Sequence, residues 1–218
     1  MLRPPNKEEY VMVFPTSLLK EIGYFQGLSD ETGKYLQVIV DQKNYLFMKR
    51  REIEADPTYK QLIPYAILNY QDTIFSYRRG KLLSEERLFG NYSIGIGGHI
   101  SIKDPNFGMT GYREGLYREM KEEVDIKSKY EMKAVALLSD DTDEVSKMHF
   151  GIIYIAELEA PLVRAKEKSI NEGKFVSIPE LKKNVHKYEG WSQICINHIE
   201  ELLSKFKELC SFTQPLPI

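Results

Sequence analysis

The chain has 218 residues, with 30 Lys and Arg against 32 Asp and Glu and a formal net charge of −2. This length supports one well-buried core with an extension, and the charge balance excludes a nucleic-acid binder that relies on a bulk basic surface. No apolar run is long enough to span a bilayer, no signal-peptide core follows Met1-Leu2-Arg3-Pro4-Pro5, and Cys195 and Cys210 have no metal-ligand spacing, so free thiols in a cytoplasmic, membrane-free protein are expected.

Residues 10–14 form a short β-prone run stopped by Pro15. Thr16 is placed to N-cap a short helix over 17–22, which Gly23 ends. Residues 35–40 and 45–48 have strand composition around a turn at 41–44. The charged run 50–56 and Pro57 mark the seam between an N-terminal extension, 1–58, and a main domain, 59–218. Beyond it, 63–69 and 73–78 form an apolar hairpin around Tyr70-Gln71-Asp72, followed by a polar loop to Gly90. Residues 92–96 form a strand that runs into Gly97-Gly98, and 111–124 form a helix that Thr110 can cap. A short strand at 135–138, an acidic loop at 139–144 and a long β-branched strand at 149–158 follow. A strand at 175–178, a helical turn from Pro179 and an amphipathic helix over 191–210 complete the chain. Strands on both sides of one central acidic helix predict an α/β (α+β) fold, with a mixed sheet carrying helices on its faces.

The central helix carries Arg118-Glu119-Met120-Lys121-Glu122-Glu123-Val124. At about 100° per residue, Glu122 and Glu123 fall roughly 60° and 40° to either side of Glu119. Three anions in so narrow an arc repel one another, and a divalent cation would turn the repulsion into a hard-oxygen site. Arg118 stands i,i+4 to Glu122 and can pair with it, as in any charged helix face. Upstream, Gly95-Ile96-Gly97-Gly98-His99-Ile100 leaves room for a phosphate or a close backbone approach.

These residues resemble the box of the Nudix (MutT-type) hydrolases, G-x5-E-x7-R-E-U-x-E-E-x-G-U, where U is bulky and aliphatic. Gly98, Arg118-Glu119, Met120, Glu122-Glu123 and Ile126 match it, and Phe175-Val176-Ser177-Ile178-Pro179-Glu180-Leu181 is similar to the ending common in these domains. The resemblance covers the chain from about Gln61 on, and the whole is most similar to the predicted phosphoesterase branch. It implies an α/β/α sandwich with the N-terminal extension packed on it. There are three departures. The stretch from Gly98 to Arg118 is six residues longer than the pattern; the first glutamate, counted back from the arginine, falls on Thr110 unless Asp104 or Glu114 replaces it; and the late glycine is Asp125.

The resemblance implies metal-dependent hydrolysis of a nucleoside diphosphate derivative or related pyrophosphate, with Mg²⁺ (or Mn²⁺) held by Glu119, Glu122, Glu123 and the Gly98 backbone. Arg118 would orient a box carboxylate. The general base is Glu122, with Glu172 as the alternative outside the box. Arg78, Arg79 and His99 are the candidate substrate-binding residues, each weighed against a solvated or structural role. The Asp140–Glu144 cluster is expected to face solvent, and Trp191 to pack the last helix on the sheet. The competing reading is a Nudix domain that binds a nucleotide or sugar-nucleotide as a regulator without cleaving it. An isomerase of the isopentenyl diphosphate type is disfavoured because neither cysteine lies near the box. The expected partner is a small phosphoanhydride substrate. The extension can cover the site, complete the sheet or form a homodimer, with the homodimer slightly preferred.

Overall fold

Ten successive buried residues in one strand organise the molecule. The computed structural model describes residues 9–80, 90–104, 111–166 and 170–211. The 81–89 loop, residues 105–109 of the insertion and Thr110 lie outside them. Strand β4 (Tyr59–Tyr70) is buried from Lys60 to Asn69, and a strand apolar on both faces must be central and covered on both sides. It pairs in parallel with β10 (His149–Leu158), which continues antiparallel into β9 (Tyr130–Ser139) and then β2 (Gly27–Ser29). The other edge of β4 is shared by three strands in turn: β1 (Tyr10–Pro15) at its start, β7 (Gly95–Gly97) at its middle and β5 (Thr73–Arg79) at its end. Beyond these, β3 (Leu46–Lys49) pairs with β1, while β6 (Tyr92–Ser93) and β12 (Ile170–Ser177) pair with β5.

The pleat sends Leu62, Ala66, Leu68, Ile152 and Tyr154 to one face, where α1 (Thr16–Ile22), α2 (Thr32–Ile39) and α4 (Gly111–Glu123) cover them. Ile63, Tyr65, Ile67, Ile153 and Ile155 face the other way, beneath α5 (Ile178–Lys183), α6 (Gly190–Asn197) and α7 (Ile199–Ser211). Each fully buried aliphatic side chain contributes about 1.5–3 kcal/mol, so the β4–β10 pair is the energetic centre. The result is the expected α/β/α sandwich on a mixed sheet, with α4 as its acidic helix. Among the described residues, no helix is long and apolar enough to cross a membrane.

Several local expectations are corrected. Residues 35–39 belong to helix α2, with Val40 at its C-cap, because Tyr35, Leu36 and Ile39 are buried while Gln37 is exposed, a helical rather than alternating pattern. Thr16 is the first residue of α1 rather than its cap, and its hydroxyl donates to Pro57 O at 3.0 Å. The 92–96 strand changes partner at Ile94, from β5 to β4, and Ser192 Oγ accepts the Ile94 N–H at 3.0 Å where the ladder breaks. The C-terminal helix is two helices, α6 and α7, interrupted at His198. Asp125 lies in β8 (Val124–Ile126), extended against β11 (Val163–Ala165), so this chain leaves α4 without the turn that a glycine would serve.

Lys60 is 1% exposed and anchors the loop that leads into β10. Its Nζ donates to Asp141 Oδ1 at 2.7 Å and Lys147 O at 2.8 Å. Asp140, itself buried, accepts from Gln26 Nε2 at 2.7 Å. The acidic loop expected to face solvent is therefore partly consumed in tying the chain together. Lys60→Met is expected to cost about 2 kcal/mol in urea unfolding, because two carbonyl or carboxylate acceptors lose their donor and Asp141, being 40% exposed, can rehydrate.

Candidate active site

A cleft of about 390 Å³ opens where α4, the Gly97-Gly98 end of β7, the start of β10 and the start of α6 meet. Arg118 is its hub. Its Nε and Nη2 fork onto Asp104 at 2.6 and 3.2 Å, Nη1 donates to Glu119 Oε1 at 2.7 Å, and Nη2 also donates to His99 O at 2.9 Å. Glu122 Oε2 lies 3.5 Å from Nη1. Burial pulls the guanidinium pKa down, but Asp104 and Glu119 outweigh it, so Arg118 stays charged.

Asp104 resolves one departure from the box pattern. It is 3% exposed and also accepts the Ser101 N–H at 2.8 Å. Five residues separate it from Gly98, the spacing the pattern gives its first glutamate. The chain therefore keeps a carboxylate against the box arginine, and the six extra residues fall between Asp104 and Arg118 rather than before it. The signal was present in the spacing forward from Gly98, whereas counting back from Arg118 pointed to Thr110. Asp104→Ala strips a half-buried guanidinium of its bidentate partner. The expected outcome is a loss of about 3 kcal/mol in stability and roughly 10–100-fold in activity, as when supporting groups of metal ligands are removed; denaturation and initial rates on one substrate check it.

Glu119 stands against bare backbone. A Cβ placed on Gly98 would lie 2.7 Å from Glu119 Cδ and 2.8 Å from Oε1, so only glycine lets this carboxylate approach. Burial pushes the Glu119 carboxyl above its ordinary range; Arg118 opposes this, and the charges of Glu122 and Glu9 add to it. A half-buried carboxylate beside further carboxylates is a hard-oxygen donor set suited to Mg²⁺ or Mn²⁺. Among the described residues no three acidic, imidazole or thiol groups already converge tightly enough to enclose an ion. Arg118 holds Glu119 and Glu122 instead, and Glu122, 48% exposed, is free to swing. The donors fit a divalent cation that gathers them.

Arg79 and His99 line the same cleft, and Arg78 and Glu172 do not. Alternation along β5 separates the two arginines. Burial pulls the Arg79 pKa down, but the fields of Tyr77, Glu189, Tyr65 and Glu123 raise it overall. Arg78 Nη1 instead lies 3.4 Å from Glu172 Oε1, and Tyr92 donates to Glu172 at 3.0 Å. Glu172 sits at a bulge in β12 with φ 54°, outside the set of residues that line the cleft. Burial pushes the His99 imidazole well below its ordinary pKa, with Arg50, His149 and Arg118 acting in the same direction, and its Nε2 has no hydrogen-bond partner among the described residues.

Sequence reasoning missed the far wall. Tyr65 donates to Glu189 Oε1 at 2.8 Å, and Glu189 caps α6 by accepting the Trp191 and Ser192 N–H groups at 2.9 and 3.1 Å. A carboxylate just before Gly-Trp-Ser at a helix start was the available N-cap signal. Trp191 packs edge-on against Tyr65 and His149, as expected, yet it also lines the cleft.

No family model matches the chain. Protein YmaB of Bacillus subtilis (strain 168) is 31% identical over 205 residues, which cover 88% of this chain and 98% of that protein. The crystal structure of Tm1382, a protein assigned to the Nudix hydrolases, is 31% identical and superimposes with a TM-score of 0.75 over 89% of this chain and 100% of its own. The Nudix domain of Shewanella oneidensis NrtR, solved with ADP ribose, shares the fold at 14% identity and a TM-score of 0.50, covering 75% of this chain and 99% of its own. With the Arg118 hub, the Gly98 cradle and a relative of known fold matched over nearly its whole length, the chain belongs to the Nudix hydrolase superfamily.

Proposed function

We propose that the protein hydrolyses a phosphoanhydride bond of a nucleoside diphosphate derivative or related pyrophosphate, with Mg²⁺ or Mn²⁺ at Glu119, Glu122, Glu123 and the Gly98 carbonyl. The observation that carries this reading is the Arg118 hub, which gathers Asp104, Glu119 and Glu122 beside the Gly98 backbone. When bound, the metal neutralises the diphosphate and lowers the pKa of the attacking water. Arg118 keeps Glu119 ionised and oriented. Glu122, half in solvent, accepts the proton of that water on a carboxylate oxygen. Arg79 brings a fixed positive charge to the substrate phosphates, and neutral His99 offers Nε2 to a polar group of the substrate. A domain that only binds a nucleotide would not need Glu119, Glu122 and Glu123 together on α4, and Asp104 supplies Arg118 with the carboxylate that Thr110 lacks.

The test is a screen of nucleoside diphosphate derivatives, ADP-ribose among them, with Mg²⁺ and Mn²⁺, following phosphate released after phosphatase coupling. Turnover of at least one compound, abolished by EDTA and restored by either ion, is expected. Tight binding by calorimetry with no product from any compound would instead establish the regulatory domain.

A further inference from the structure

The N-terminal segment reaches the cleft at one point. Met12 N–H donates to Ile100 O at 2.9 Å, Ile102 N–H donates to Tyr10 O at 3.1 Å, and Val11 bridges Ser101 antiparallel. The stretch that leaves Gly98 therefore runs back along β1. In that register Glu9, one residue before β1, comes level with Lys103, next to the Asp104 that grips Arg118. Glu9 is held in place: Arg50 Nη1 donates to its Oε2 at 3.1 Å, and the Arg50 N–H donates to its carbonyl at 2.8 Å. Glu9 and Arg50 both line the cleft with Glu119 and Glu122.

A carboxylate paired with an arginine is ordinarily a structural pin. Here Arg50 already has a second carboxylate, with Glu54 Oε1 at 2.9 Å from its Nε, so pinning does not require Glu9. Bringing another anion into a cleft that already holds several carboxylates is unfavourable unless a cation compensates. An independent sign of a ligand lies across the cleft. Trp191 is 8% exposed and its Nε1–H has no partner among the described residues. A buried donor left so is unfavourable, and an acceptor brought in by a ligand would satisfy it.

We propose that Glu9 is a fourth carboxylate of the cation site formed by Glu119, Glu122 and Glu123, so that the N-terminal segment completes the active cleft. Arg50 is then a positioning residue, aiming Glu9 while Glu54 steadies Arg50. This rests on the metal-dependent hydrolase reading.

Mn²⁺ titration of the full chain by calorimetry, with melting curves in EDTA, tests it. Wild type binds Mn²⁺, and Glu119→Gln removes most of that binding. Glu9→Gln retains an acceptor for Arg50 and weakens Mn²⁺ affinity about tenfold, while Glu54→Gln, altered on the same arginine but outside the cleft, leaves affinity unchanged. Wild-type affinity in Glu9→Gln, or equal weakening in Glu54→Gln, overturns the proposal and leaves Glu9 as a pin. If Glu9→Gln does not fold, Glu9→Asp keeps the charge and shortens its reach. The same weakening is then expected, and unchanged affinity again overturns the proposal. A wild-type chain that binds no Mn²⁺ overturns the hydrolase reading itself, which separates the two failures.

Discussion

Glu119→Gln should lower turnover about a thousandfold, ~4 kcal/mol of transition-state stabilisation, while leaving the fold intact. The amide has the shape of the carboxylate, so its oxygen can still accept from Arg118 Nη1, and Gly98 still leaves room for it. Arg118 keeps its fork onto Asp104 and its neighbour Glu122, so the hub survives. What disappears is one negative charge in the donor set. That charge is costly in the free protein, because burial and nearby carboxylates already work against the ionised form. Its removal should leave the melting temperature in EDTA unchanged or raise it slightly. The pairing of severe catalytic loss with undiminished stability is the signature of a group kept for chemistry rather than for folding. Initial rates on any substrate from the screen, beside melting curves, decide it. Turnover within tenfold of wild type would remove Glu119 from the metal set.

Much of the architecture was legible because hydrophobic period and burial agree. The limits of β10 follow from its unbroken apolar run, and α4 from its heptapeptide of charged residues around Met120. Where the sequence misled, a long-range partner decided. Residues 35–40 carry the β-branched and aromatic composition of a strand, but Tyr35 finds its partner in Gly23 O at 2.7 Å and packs as a helix on the sheet. The carboxylate helix declared itself by local spacing alone. The far wall of the cleft could not, because Tyr65 and Glu189 meet across 124 positions of sequence and nothing local marks either as a partner of the other. Asp104 lay between these cases, legible from one direction of counting and hidden from the other. Glu172 stands outside the cleft lining, at a bulge in β12 that the sequence did not announce.

Gly97→Ala and Gly98→Ala should fail in opposite ways, although the two residues are adjacent. At Gly97 the new methyl would lie 2.0 Å from Pro64 O and 3.1 Å from Tyr65 Cα. Both atoms are backbone of β4, and Gly97 is in register with Tyr65 in the ladder, so neither strand can yield without parting from the other. The expected cost is about 3–5 kcal/mol of stability, seen as an early urea transition. At Gly98 the three atoms nearest the methyl all belong to the carboxylate of Glu119, the far end of a flexible side chain. Glu119 can swing aside at a cost of about 1 kcal/mol, an off-rotamer shift rather than a broken strand. Swinging aside takes it from the Gly98 backbone and off Arg118, and a displacement of roughly 1 Å in a catalytic group costs about a hundredfold in rate. Gly98→Ala should therefore melt close to wild type, bind Mn²⁺ more weakly and turn over about a hundredfold more slowly. If Gly98→Ala kept both rate and Mn²⁺ affinity, the close approach of Glu119 to that backbone would have no part in the chemistry, and the metal site would have to be sought among Glu122, Glu123 and the opposite wall.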